Sequence, residues 1–92
     1  KLYIYSDVAE FNSNNYNTSF KKNIQIKFED NTITSNNLDF NFIKNNILVY
    51  DNVIYNGSNG NIQTDNIKIN LITKNIEIFM NDKNENIKII SF

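Results

Sequence analysis

The segment Leu38-Asp39-Phe40-Asn41-Phe42-Ile43-Lys44-Asn45-Asn46-Ile47-Leu48-Val49-Tyr50 decides the fold. Leu38, Phe40 and Phe42 alternate with Asp39 and Asn41, the period of two that marks a half-buried β-strand. Ile47 and Val49 then alternate with Leu48 and Tyr50. Between the two runs, the stretch from Phe42 to Asn46 reads as a turn. Asparagine suits it, because its short amide bonds to nearby backbone and tolerates positive φ. Asp51-Asn52 reads as a second turn, after which Val53 and Tyr55 open another strand.

The same order of residue types recurs at a spacing of 29. Ser6-Asp7-Val8-Ala9-Glu10-Phe11-Asn12 lies over Ser35-Asn36-Asn37-Leu38-Asp39-Phe40-Asn41, and both lie over Thr64-Asp65-Asn66-Ile67-Lys68-Ile69-Asn70. In that register Asn17, Asn46 and Asn75 share a column, as do Asn23, Asn52 and Asn81, and Phe20, Val49 and Ile78. With 21 asparagines in the chain, fewer than one three-way asparagine column would arise by chance, and three are present. The reading is therefore an all-β domain over 1–92, built from three 29-residue repeats of antiparallel strands. The third unit runs through Ile67, Ile69 and Leu71, then Ile76 and Ile78. The first is weaker, with Ala9 and Phe11, then Phe20, then Ile24, Ile26 and Phe28. Asn56-Gly57-Ser58-Asn59-Gly60 is a hairpin-loop signal. No window shows a helical period, and no proline bars a strand from a sheet interior.

Composition narrows the function classes. The chain has 92 residues, 40% of them hydrophobic, with a formal charge of −1. That size gives one domain with a modest core. Nine lysines and no arginine do not make the basic stripe of a nucleic-acid binder, and the pair Lys21-Lys22 reads as a solvated face. The absence of His and Cys removes the commonest general base, the strongest nucleophile and thiolate metal sites. Glu10 and Asp39 fall on the polar side of alternating strands, where solvation is the default. Asp82-Lys83-Asn84-Glu85-Asn86 spaces oxygen donors as calcium loops do, but Ile87 stands where that loop needs glycine, so it reads as a polar hairpin turn. Asp7 and Asp65 share a column with Asn36, which points to a turn or cap role. Neither an enzyme nor a cofactor site is expected.

No apolar run approaches the 20 or so residues of a membrane-spanning helix. The chain starts at Lys1 rather than Met, and is read as a processed or trimmed piece. An open stack of strands leaves an edge at each end, and neither Leu2–Tyr5 nor 87–92 carries proline to block pairing. Leu2, Ile4, Ile87, Ile89 and Phe92 are thus candidate docking edges for a partner strand, or else fraying ends.

Residues 6–28, 33–55 and 62–80 resemble the repeat of the periplasmic lipopolysaccharide-export proteins, of the LptA, LptC and OstA-like kind. Thr64-Asp65-Asn66-Ile67-Lys68-Ile69-Asn70 and Asn52-Val53 fit the pattern best, and the membrane-tethered LptC family is the nearest in form. Asp51 replaces the glycine of that pattern. The resemblance implies an open, twisted β-jellyroll that holds lipopolysaccharide acyl chains in an apolar groove. It implies transfer to the next, LptA-like jellyroll of a periplasmic bridge, and contact with the inner-membrane transporter complex through a tether absent from this chain. The candidate groove residues are Phe11, Phe20, Phe28, Leu38, Phe40, Phe42, Ile47, Val49, Val53, Tyr55, Ile67, Ile69, Leu71, Ile76 and Ile78. If the two walls of the sheet meet, these residues are core. If the walls splay, they line a slot for acyl chains. A second reading from the residues is a structural or adhesive β-repeat module, which needs no groove.

Overall fold

The computed structural model describes residues 2–58 and 60–81, and the backbone of 88–91. Eight strands form one antiparallel sheet: β1 (Leu2–Tyr5), β2 (Val8–Phe11), β3 (Thr18–Phe28), β4 (Asn31–Asn41), β5 (Asn46–Gly57), β6 (Gly60–Asn70), β7 (Asn75–Phe79) and β8 (Lys88–Ser91). Strands β3 to β8 follow one another in order across the sheet, and β1 and β2 pair end to end along the outer side of β3. The sheet is open, with β1 and β2 at one edge and β8 at the other. No described residue is helical.

The expected open antiparallel architecture is found, and one sequence reading is corrected. Asp51-Asn52 is not a turn. It is a bulge inside β5, which runs unbroken from Asn46 to Gly57. Asp51 and Asn52 take left-handed backbone conformations (φ 71° and 61°), as Lys22 and Asn23 do in β3 (68° and 53°). Such residues kink a strand without ending it. The register slips at 21/24 in β3, at 34/37 in β4 and at 50/53 in β5, so the kinks line up across neighbouring strands as one crease. The boundaries of three separate units are not visible in this continuous sheet. Residues 29 apart sit on alternate strands of one meander. The left-handed positions keep that spacing, at Tyr16, Asn45 and Lys74 in the turns and at Lys22 and Asp51 in the crease.

Polar side chains hold the crease. Ser6 Oγ donates to Val8 O and Ser35 Oγ to Asn37 O, each reaching two residues along its own chain. Thr64, in the same column, donates instead to Phe79 O on the next strand. These hydroxyls occupy carbonyls that the slipped ladder leaves free. Amides and carboxylates bind across it: Asn23 Nδ2 to Asp7 Oδ2 at 2.7 Å, Asn37 Nδ2 to Asp51 Oδ2 at 3.1 Å, and Asn81 N to Asp65 Oδ2 at 2.9 Å. The turn-or-cap expectation for Asp7 and Asp65 thus becomes a crease role.

Folding at the crease brings the two halves of the sheet face to face. One apolar cluster joins Ile24, Ile26, Ile33, Val53 and Tyr55 from one half with Leu38, Ile47, Val49, Ile67, Ile69, Ile76 and Ile78 from the other. A lone sheet cannot shield a face from water, so this burial requires the second layer. Each buried aliphatic side chain contributes about 1.5–3 kcal/mol. The hairpin ends meet opposite the crease, where Lys74 lines one recess with Glu29, Asp30 and Ser58.

The turns follow from local chemistry. Asn12 follows β2, Asn41 and Asn70 end β4 and β6, and each accepts a hydrogen bond from a backbone N–H two or three residues on. Each turn closes on a left-handed residue, Tyr16, Asn45 or Lys74. At the other hairpin, Gly57 faces Gly60 as the sequence predicts. A Cβ on Gly57 would sit 2.8 Å from the Tyr55 ring, and Gly60 has φ 128°, so both positions need glycine. The segment 82–86, read as a polar turn, lies outside the described residues.

Candidate functional site

Lateral pairing turns the sequence alternation into rows that cross the sheet. One row runs Ala9, Phe20, Leu38, Val49, Ile67, Ile78. The next runs Phe11, Thr18, Phe40, Ile47, Ile69, Ile76. Both face the space between the two half-sheets. Their burial is uneven. From β4 to β7 the first row is closed off from water, and the second is closed from β5 to β7. Toward the β2 edge, Phe40 and Phe20 become half-buried, Ala9 is exposed, and Phe11 is 61% exposed.

This gradient divides the fifteen candidate groove residues. Phe28, Leu38, Ile47, Val49, Val53, Tyr55, Ile67, Ile69, Ile76 and Ile78 are buried and pack as core, so they form no open slot. Over that stretch the walls meet, because the crease lays one half-sheet on the other. Phe20, Phe40 and Leu71 are half-buried, and Phe11 and Phe42 are exposed. Phe40 and Phe42 stack with ring centroids 4.4 Å apart, extending the interior row out to its lip. Phe11 leans on Tyr16 at 6.3 Å. The open part of the apolar interior is therefore a short aromatic mouth at the β2 end.

The candidate edges stand as follows. Leu2 and Ile4 lie on β1 with their side chains packed against the core, while Tyr3 and Tyr5 on the same strand are exposed. Ile89 lies on β8. Ile87 and Phe92 lie outside the described residues.

Two features were not singled out in the sequence. Ile43 and Ile72, equivalent positions of two turns, are 72% and 71% exposed at the hairpin tips. The other is a polar recess of about 740 Å³ over β2 to β5, beside the 12–16 turn, which takes in Glu10, Ser19, Asp39 and Leu48 of the outer face and Phe11 and Phe40 at the lip of the mouth. Its lining includes Asn12, Asn17, Asn41 and Asn46. Asn41, Asn46 and Asn70 sit directly opposite one another along β4, β5 and β6, so two of the 29-spaced asparagine columns merge into one row. The columns were visible in the sequence. Their convergence depends on the pairing register.

Electrostatics on this outer face are mild. Lys21 Nζ lies 3.6 Å from Glu10 Oε1, both well exposed. Ser19 Oγ donates to Asp39 Oδ1 at 3.0 Å. Burial, together with the charge and hydrogen bond of Asp39, raises the Tyr50 phenol above its usual range. Burial alone raises that of Tyr55, whose hydroxyl donates to Asn31 Oδ1. Among the described residues there is no cluster of three or more His, Cys, Asp or Glu able to hold a metal ion, and no helix long and apolar enough to cross a membrane. Comparison of the chain with known protein-family models and with curated proteins returns no match.

Proposed function

We propose that this chain is a non-catalytic, lipid-handling β-roll of the lipopolysaccharide-transport kind. Acyl chains enter between the half-sheets at the β2 end, where Phe11, Phe20, Phe40 and Phe42 form the mouth. The edge strands continue the sheet into neighbouring rolls of a periplasmic bridge that starts at an inner-membrane transporter. One observation carries this reading. The inward rows that are dry at β5 to β7 open progressively toward β2, and leave aromatic surface facing outward. Each methylene buried there would contribute roughly 0.8 kcal/mol, without a polar anchor to break on release. A sequence without His or Cys is suited to carrying cargo by surface contact.

The closed interior favours a second reading, a structural β-module that stacks through its edges. Photo-crosslinking separates the two. Benzoylphenylalanine placed at Phe11, Phe40 or Phe42 is expected to label lipopolysaccharide, and at the outward-facing Ile54 to leave it unlabelled. Equal labelling at all four positions, or none at any, would remove the lipid reading.

A further inference from the structure

We propose that the outer recess between β2 and β5 is a binding site for an uncharged saccharide. It is lined from the outer face by Glu10, Ser19, Asp39 and Leu48 and reaches the lip of the apolar mouth at Phe11 and Phe40, and its polar groups take no part in the lipid reading. At about 740 Å³ it falls within the roughly 300–1,000 Å³ of small-molecule sites.

The donors and acceptors suit hydroxyl groups. Asn12 and Asn41 each commit their Oδ1 to a turn N–H, at 2.9 and 3.0 Å. Each therefore keeps its two Nδ2 hydrogens for a ligand. Asn46 lines the same floor. Acceptors stand beside these donors. Asp39 Oδ1 already holds the Ser19 hydroxyl, and a carboxylate has further lone pairs to offer. Asn17 also lines the recess; its Oδ1 is shut off from solvent and has no partner in the protein. A sugar hydroxyl, donor and acceptor at once, can answer both kinds of group.

Charge and shape exclude the alternatives. Glu10 and Asp39 line the recess and repel anions, and the nearby Lys21 is paired to Glu10. The polar floor does not suit an acyl chain. Phe11, which also lines the recess and is propped against Tyr16, offers an aromatic ring for the C–H face of a pyranose.

The test is a glycan array carrying neutral, N-acetylated and anionic oligosaccharides, probed with the labelled chain. The best hit is then titrated against ¹⁵N-labelled protein, in which asparagine side-chain amides are observed directly. Binding to an uncharged glycan is expected, with the Asn17 and Asn46 side-chain amides shifting. Asn46→Ala and Phe11→Ser should each weaken binding roughly tenfold, about 1.4 kcal/mol. The remote Ile72→Ser should bind as the parent does. Phe11 and Ile72 are exposed, so these two variants test binding without threatening the fold. No glycan bound, binding to anionic glycans alone, or equal affinity across the variants would overturn the assignment.

Discussion

Phe11 and Ile69 occupy the same column of the 29-residue alignment and the same lateral row of the sheet, yet one is 61% exposed and the other fully buried. Ala9 and Ile67 differ in the same way. Alternation decides which face of the strand a side chain takes. It does not decide whether that face is covered. Coverage comes from the opposite half-sheet, which seals the interior under β5 to β7 but not under β2. The difference separates a core from a mouth built of the same kinds of residue.

The sharpest way to break this comparison is to truncate an open and a closed position of one row. Ile69→Ala is expected to cost about 2–5 kcal/mol in denaturant unfolding, because it opens a cavity in a closed core. Phe11→Ala should stay within roughly 0.5 kcal/mol. Equal losses would mean that the β2 end is sealed too.

The hairpin that leads into the closed region gives the next largest effect. Gly60→Ala forces an L-residue to φ 128°, at a cost of about 1–3 kcal/mol. A cost within measurement error would show that this turn is free to relax.

The crease offers a finer contrast. Ser35 and Ser6 make the same hydrogen bond to a carbonyl two residues on, but Ser35 is buried and Ser6 is half-buried at the edge. Ser35→Ala should cost about 1–2 kcal/mol and Ser6→Ala about 0.5 kcal/mol, since only the former strands a carbonyl away from water. The reverse order would place the tighter part of the crease at the β1 and β2 edge.

The mildest probe is alkaline pH. Tyr50 and Tyr55 ionise less readily folded than unfolded. Their contribution is complete below the unfolded phenol pKa of about 10, and is lost as pH rises through the higher folded values. Melting temperature should therefore fall above about pH 10, and fall less steeply in Tyr55→Phe. An identical slope in that variant would mean that the closed region does not shield Tyr55.

Much of the fold was legible because its signals are local. Leu38 to Phe42 and Ile47 to Tyr50 carry the period of two, and the strand-ending asparagines announce their turns. Asp51-Asn52 was misread because a bulge and a turn use the same residues. Both need left-handed backbone, and only the continuation of pairing from Val53 to Gly57 tells them apart. The apolar column was visible in the sequence, but its split into ten buried, three half-buried and two exposed positions was not. The asparagine recess escaped for a similar reason. Its residues come from β2, β3, β4 and β5, and meet only through register.

The sequence by itself determined the strands, their turns and the side of the sheet on which each apolar residue lies. Those are properties of neighbours along the chain, set by pleat geometry and by what asparagine and glycine allow the backbone to do. Only the tertiary structure decided where the interior closes and where it opens. That depends on how far one half-sheet overlaps the other once the aligned bulges have creased it, and overlap is a property of the whole sheet.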